Sequence, residues 1–351
     1  MRKGLSGFLF LLIAGLYAWF QFQSRLQPQS SPPAERHGAI EAYFSEPDAP
    51  EADSLRGGVD RYLVDAIEAA QYSVDVAVLR LDLWSIRDAL ISAHQRGVYV
   101  RVVTDQDYVG EDEIQDLMRT GIQVVTDNED ALMHHKFVVI DSIDVWTGSM
   151  NFTVNGAYRH NNNLVHIHSR EAAEDYTREF EEMYEDGRFG AASRMDTPHP
   201  IFVVDGVEVE VYFSPDDMAA LQIVDALENA QERIVFMAYT ITLDAVADVL
   251  IERAEAGVDV MGVLDTDQVG NLGSDADRLL AAGVDLRLDG NPDKMHHKVF
   301  IIDDLIVITG SYNFSQSAES RNDENVVVLR SPVLAQRYLE EFSRIWDAAA
   351  P

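Results

Sequence analysis

Met133-His134-His135-Lys136-Phe137-Val138-Val139-Ile140-Asp141 returns later in the chain as Met295-His296-His297-Lys298-Val299-Phe300-Ile301-Ile302-Asp303. Upstream, Leu63-Val64-Asp65-Ala66-Ile67-Glu68-Ala69-Ala70-Gln71 returns as Ile223-Val224-Asp225-Ala226-Leu227-Glu228-Asn229-Ala230-Gln231, and Arg96-Gly97-Val98 as Ala256-Gly257-Val258. The copies lie 160 residues apart at these upstream matches and 162 apart at the histidines, so the second carries a two-residue loop insertion. A period this long exceeds that of solenoid repeats and marks a duplicated domain.

Each copy reads as strand, helix, strand, helix, strand, helix and hairpin. The Leu63–Gln71 helix leads to an apolar strand (Ser73–Leu79; Ile234–Tyr239). A second helix (Trp84–Gln95; Ala245–Ala256) leads to the next strand (Val98–Thr104; Val258–Leu264). The hairpin runs Phe137–Asp141 into Val145–Thr147, and Val299–Asp303 into Ile306–Thr309. These Val/Ile-rich runs lack clean alternation, as strands do when helices cover both faces of their sheet. The expected fold class is α/β, layered, with mixed sheets.

The chemistry sits around the hairpin. The first copy reads His134-x-Lys136-x4-Asp141-x6-Gly148-Ser149-x-Asn151, the second His296-x-Lys298-x4-Asp303-x6-Gly310-Ser311-x-Asn313. On a strand, residues i and i+2 share a face, so each His points with its Lys while His135 and His297 point away as packing residues. Asp141 and Asp303 complete the motif but fall at the hairpin turn, a structural position. Gly148 and Gly310 permit close backbone approach, and the Ser and Asn after them offer hydrogen bonds to an oxyanion. Paired imidazoles, paired ammonium groups and paired polar donors suit phosphodiester transfer: one imidazole attacks phosphorus, the other protonates the leaving alkoxide, and the lysines neutralise the phosphate oxygens. Lysine supplies the cation, so this scheme calls for no metal and no cofactor.

Composition bounds the alternatives. The 351 residues, 47% apolar, are enough for real cores, and the absence of cysteine removes thiolate chemistry and disulfides. Sixty acidic against 27 basic residues give a net charge of −33, a field that repels polyanions at long range and fits an acidic, strongly solvated surface. The chain opens Met1-Arg2-Lys3 and is then uncharged from Gly4 to Ser24. Leu5–Phe22 is just long enough to cross a bilayer, and lacks a good cleavage site, so an uncleaved anchor over residues 1–24 with an extracytoplasmic catalytic domain is expected, with a secreted protein if it is cleaved. A Pro/Ser/Gln linker over residues 25–38 would follow, then halves at 39–195 and 196–351.

The doubled H-x-K-x4-D with G-S-x-N resembles the phospholipase D superfamily, and the resemblance covers nearly everything after the linker. It implies two α/β/α sandwich halves packed as a pseudo-dimer in one chain, a monomer with both motifs at one shared site. The family's histidines carry over to His134 and His296, its lysines to Lys136 and Lys298, its aspartates to Asp141 and Asp303, and its Ser and Asn to Ser149, Asn151, Ser311 and Asn313. Asn322-Asp323-Glu324-Asn325-Val326 resembles the family's acidic segment, whose carboxylate orients a motif histidine. The first copy reads Asn161-Asn162-Asn163-Leu164-Val165, with Asn162 where Glu324 stands, so the two histidines should differ in basicity. The implied activity is hydrolysis of phospholipid headgroup esters, or transfer to alcohols, at a membrane through a phosphohistidine. The alternatives are an endonuclease of the superfamily acting on single-stranded DNA or RNA, and an inactive phosphate- or membrane-binding scaffold. His160, His166 and His168 resemble a metal cluster by count but have no match in the second copy, and read as surface or edge histidines.

Overall fold

The motif strands Lys136–Ile140 and Lys298–Ile302 are buried along their whole length, each in the middle of its own sheet. In this computed structural model, residues 38–127 and 131–349 are described. The first sheet orders its strands Ile40–Phe44, Asn163–His168, Asp144–Gly148, Lys136–Ile140, Ser73–Val78, Tyr99–Thr104 and Gln123–Thr126. The second repeats the plan as Asp285–Leu288, Asp259–Leu264, Arg233–Ala238, Lys298–Ile302, Ile306–Gly310, Glu324–Arg330, Val207–Ser214 and Ile201–Val204. Both are mixed: Ser73–Val78 is parallel to Tyr99–Thr104 and antiparallel to Lys136–Ile140, and Arg233–Ala238 is placed likewise. The expected layered α/β class is what the chain adopts.

Alternation along a strand divides the core. Phe137 and Val139 face the middle of the molecule, while Val138 and Ile140 face the outer helices of the first half. Those helices present their apolar stripe inward: Trp84–Gln95 buries Ile86, Ala89, Leu90 and Ala93, a spacing of three and four residues. The central core is shared. Phe137, Tyr176 and Phe180 from the first half join Val299, Tyr338 and Phe342 from the second.

Two long helices that the sequence reading did not register fill that middle layer: Arg170–Tyr184 and Pro332–Ala348. Each starts on a serine, Ser169 or Ser331, whose hydroxyl accepts a backbone N–H from the first turn. Each packs on its own sheet and also touches a strand of the other half, Val207–Ser214 or Ile40–Phe44 respectively. The hairpin Ile201–Val204 with Val207–Ser214 was likewise not foreseen. A parallel two-stranded bridge, Lys294–Met295 with His160–Asn161, ties the halves directly.

The expectation of a membrane-anchored chain needs correction. The segment it rested on, Leu5–Phe22, lies outside the described residues, and among the described residues no helix is long and apolar enough to cross a membrane. Anchoring and an extracytoplasmic placement therefore form no part of the reading that follows.

Candidate active site

Each motif strand begins as its partner half closes over it. His134 N–H donates to Asp323 O at 3.0 Å, and His296 N–H to Asn161 O at 2.9 Å, so both histidines are held by backbone of the opposite half. One residue earlier, Met133 N–H donates to Asp105 Oδ2 and Met295 N–H to Asp265 Oδ2. These two aspartates end the strands Tyr99–Thr104 and Asp259–Leu264 and fix where each motif strand starts.

The side chains are exchanged in the same way. His134 Nδ1 lies 2.7 Å from Glu324 Oε2, a carboxylate of the second half. His296 Nδ1 lies 3.0 Å from Asn162 Oδ1 and 3.2 Å from Ser149 O, both in the first half. With each Nδ1–H donating to these acceptors, each Nε2 lone pair is left for chemistry. Only 5% of His134 and 7% of His296 is exposed, so substrate reaches edges of rings held otherwise rigid. Lys136 and Lys298 are fully buried, and each ammonium donates to the carbonyl of its own motif histidine, at 2.5 and 2.7 Å. Lys298 Nζ also sits 4.8 Å from the centre of the Tyr239 ring.

Burial dominates the electrostatics. It pulls His134 down to about 4, against the opposing pull of Glu324, with Lys136 and Lys298 adding to the fall. It holds His296 well below the usual imidazole range, where Lys298, Lys136, His160 and His134 all push the same way. Lys136 is brought down to about 7 by burial, with Glu324 and Asp105 resisting; Lys298 is depressed by burial and by Lys136. Glu324 would be pushed up by burial, but His134 and Lys136 outweigh this and hold it below the usual carboxylate range. The mutual influence of the four motif groups puts both halves' charges in one site. The asymmetry read from the sequence appears in the geometry as a carboxylate, Glu324, beside His134 and an amide, Asn162, beside His296.

Other motif residues sit one layer behind. The Ser149 hydroxyl donates to Asn162 Oδ1 at 2.9 Å and accepts from Asn163 N–H; Ser311 Oγ accepts from Asn325 N–H. Both serines are wholly buried, so the hydroxyls read from sequence as oxyanion donors instead fix the segments that carry the histidines' partners. Asn151 and Asn313 each bury a side-chain oxygen with no partner among the described residues. Gly148 and Gly310 both have φ of +142°, and a Cβ at either would strike the carbonyl of Asn163 or Asn325. Asp141 and Asp303 lie beyond the far ends of the motif strands. Their carboxylates accept the backbone N–H groups of residues 71–73 and 231–233, so they clamp the start of the neighbouring strand and do not tie up the hairpin itself.

Several supporting residues escaped the sequence reading. His135 Nε2 contacts Glu179 Oε1 at 2.9 Å, and His297 Nε2 contacts Glu341 Oε1 at 3.1 Å. Their Nδ1 atoms face the amides of Asn325 and Asn163 across the interface. Glu179 and Glu341 stand 162 residues apart, the offset of the motifs themselves, and that spacing was the available signal. On the His296 side the wall also carries Tyr239, whose ring centre is 4.9 Å from that of His296, and His160 at 6.0 Å. Lys294 Nζ lies 3.5 Å from the Tyr239 hydroxyl. At the matching positions on the His134 side stand Leu79, Asn322 and Leu132.

The family described as "Cardiolipin synthase, PLD-like domain" matches residues 63–184 and again 223–346. The mitochondrial cardiolipin hydrolase of Chlamydomonas reinhardtii is 37% identical over 123 residues, which is 35% of this chain and 55% of that protein. The phospholipase D of Rickettsia typhi is 37% identical over 137 residues, 39% of this chain and 67% of that protein. The match thus spans little more than half of the first relative. Among solved structures, the phosphatidylserine synthase of Haemophilus influenzae Rd KW20 superposes with a TM-score of 0.64 over 86% of this chain and 85% of that one, at 13% identity, a likeness of fold alone.

Proposed function

The chain belongs to the phospholipase D superfamily, and from that premise we propose that it is a phosphodiesterase that hydrolyses phospholipid headgroup esters through a phosphohistidine. The observation that carries this reading is the crosswise seating of two rigid imidazole–ammonium pairs in one buried site. In the first step His134 Nε2 attacks phosphorus, the bond from phosphorus to the headgroup oxygen breaks, and His296 Nε2–H gives its proton to the departing alkoxide. In the second, His296 takes a proton from water, the water oxygen bonds to phosphorus, and the phosphorus–nitrogen bond breaks to release phosphatidic acid.

The roles follow from which ring must bear charge for longest. A phosphohistidine with Nδ1–H retained stays cationic throughout the intermediate, and Glu324 stands beside His134 to offset that charge. Asn162, beside His296, cannot. The donor ring needs its proton only briefly. An arriving phosphate anion neutralises the two lysines that depress His296 and so lets that ring take up a proton. The same anion favours the charged form of both lysines, which then hold its non-bridging oxygens.

A lipid substrate is favoured over a nucleic acid by two features. A net charge of −33 opposes approach of a polyanion. The two walls of the site also differ: Leu79 and Leu132 stand at the positions that Tyr239 and Lys294 occupy opposite, a division that suits a diester with one apolar and one polar arm. The names of the relatives, cardiolipin hydrolase and phospholipase D, agree with this reading.

The test is release of headgroup from phosphatidylglycerol or cardiolipin vesicles, run beside cleavage of single-stranded DNA, with chelator present. Lipid hydrolysis should exceed nucleic-acid cleavage, and His134→Ala or His296→Ala should each lower it by at least about 10³-fold. DNA cleavage as the dominant activity would overturn the substrate assignment. Full activity in either histidine variant would overturn the mechanism.

A further inference from the structure

The strands Asp144–Gly148 and Asn163–His168 border the catalytic site at Gly148 and Asn163. At their other ends, about 13 Å away by strand rise, Asp144 is paired in register with His168, and the next pair on that face is Trp146 with His166. His166 Nε2 and His168 Nδ1 each lie 2.7 Å from the same oxygen, Asp144 Oδ1, so three metal-ligand atoms converge on one point. The edge-histidine reading of the sequence missed this because the carboxylate arrives from a neighbouring strand.

Three features set this cluster apart from a chance meeting of polar side chains. The His166 ring is clamped flat against Trp146, with centres 4.5 Å apart and planes 19° from parallel. Its Nδ1 faces Glu41 Oε2 at 3.9 Å, and that carboxylate is itself held by the Tyr43 hydroxyl at 2.7 Å. At that distance the carboxylate makes no hydrogen bond, but its charge stands on the Nδ1 side of the ring and Nε2 is the atom turned toward Asp144, the side on which a metal would be bound. Finally, the duplicated fold does not demand these residues, since the second half has Ile306, Val328 and Arg330 at the matching positions.

We propose that Asp144, His166 and His168 form a binding site for a divalent transition metal, Zn²⁺ before others, with water at the fourth position. Two imidazoles and one carboxylate are a zinc donor set. Bonds of about 2.0–2.2 Å in tetrahedral geometry put donor atoms about 3.3–3.6 Å apart, so each nitrogen must draw back from Asp144 Oδ1 by about 0.6–0.9 Å, within reach of small side-chain rotations. The ion joins two adjacent strands next to the sheet-edge strand Ile40–Phe44 and takes no part in phosphoryl transfer.

Zinc titration of the chelator-stripped full chain by calorimetry tests this, with visible absorption of a Co²⁺-loaded sample reporting tetrahedral ligation. A His134→Ala/His296→Ala double variant removes the catalytic imidazoles as competitors. One equivalent should bind to both the wild type and this double variant, and thermal stability should rise with zinc in both. Affinity should fall at least tenfold in Asp144→Asn and in His168→Ala, the latter a mostly exposed side chain whose loss leaves folding and diester hydrolysis unchanged. Absence of saturable binding, undiminished binding in His168→Ala, or binding lost with the catalytic histidines would each overturn the site.

Discussion

A ring that carries a phosphoryl group needs a counter-charge, and at the residue scale Glu324 is the one carboxylate given to either motif histidine among the described residues. Glu324 pulls His134 upward against burial, so its removal must lower the ring's basicity further. In Glu324→Gln the acid limb of kcat/KM, set by protonation of the attacking ring in the free protein at about 4, should therefore move to lower pH. At the same time kcat at neutral pH should fall by about 10–100-fold, because the cationic intermediate loses its support. Rate–pH profiles of the two proteins decide this, and an acid limb that moved upward would refute the assignment of roles. The converse change, Asn162→Asp, supplies His296 with a carboxylate and should raise its basicity. Trapping the phosphoenzyme with slow substrate and mapping the modified residue should then show label on His134 in the wild type. Label on His296 alone would reverse the two roles.

At the scale of elements, the glycines that end each motif's return strand are steric requirements. Gly148→Ala would drive a Cβ into the Asn163 carbonyl and displace the segment that holds Asn162 against His296. It should cost at least about 2 kcal/mol and abolish activity, whereas Gly97→Ala, also at positive φ but facing open space, should cost about 1 kcal/mol and spare activity. Denaturant melts and a diesterase assay on both variants separate clash from backbone strain alone, and equal losses would count against the clash. The same elements show what the sequence could disclose. Helices and strands of the halves were legible because each was written twice, and the i, i+2 spacing gave the histidine–lysine pairs. The middle-layer helices were not read, because charged residues dominate Arg170–Tyr184 and mask Tyr176, Phe180 and Met183 at helical spacing. Asp144 with His166 and His168 was hidden for another reason: residues this far apart in sequence meet only once strand register is known.

On the scale of the whole molecule, the acidity that solvates the surface also reaches the interface between the halves. Asp175 is pushed up to about 7 and Asp216 to about 8, both chiefly by burial, with neighbouring carboxylates adding to the rise. Both Asp216 oxygens are buried without a partner among the described residues. A carboxyl raised in the folded protein binds its proton more tightly there than in the unfolded chain, so it is neutral and harmless at low pH. Its contribution is lost as pH climbs from the ordinary aspartate range through the raised value. The buried histidines work in the other direction: His134 near 4 and His135 near 3 withdraw stability as pH falls below their usual value of 6.5. Above about pH 6.5 the raised carboxyls go on withdrawing stability until about pH 8, while the buried lysines, Lys136 brought down to about 7 and Lys298 depressed with it, add stability as pH rises toward the ordinary lysine range. The self-repulsion of a net charge of −33 acts throughout and is strongest at low ionic strength. Asp216→Asn keeps the shape of the neutral form and cannot ionise, so its melting temperature relative to wild type should rise from about pH 4 to 8 and then stay level, by about 2–4 °C for each kcal/mol recovered. Thermal melts across pH 5–9 in 0.1 M and 1 M salt provide the comparison. A difference between variant and wild type that did not grow between about pH 5 and 8 would mean that the buried Asp216 carboxyl is not a drain on the stability of the paired halves.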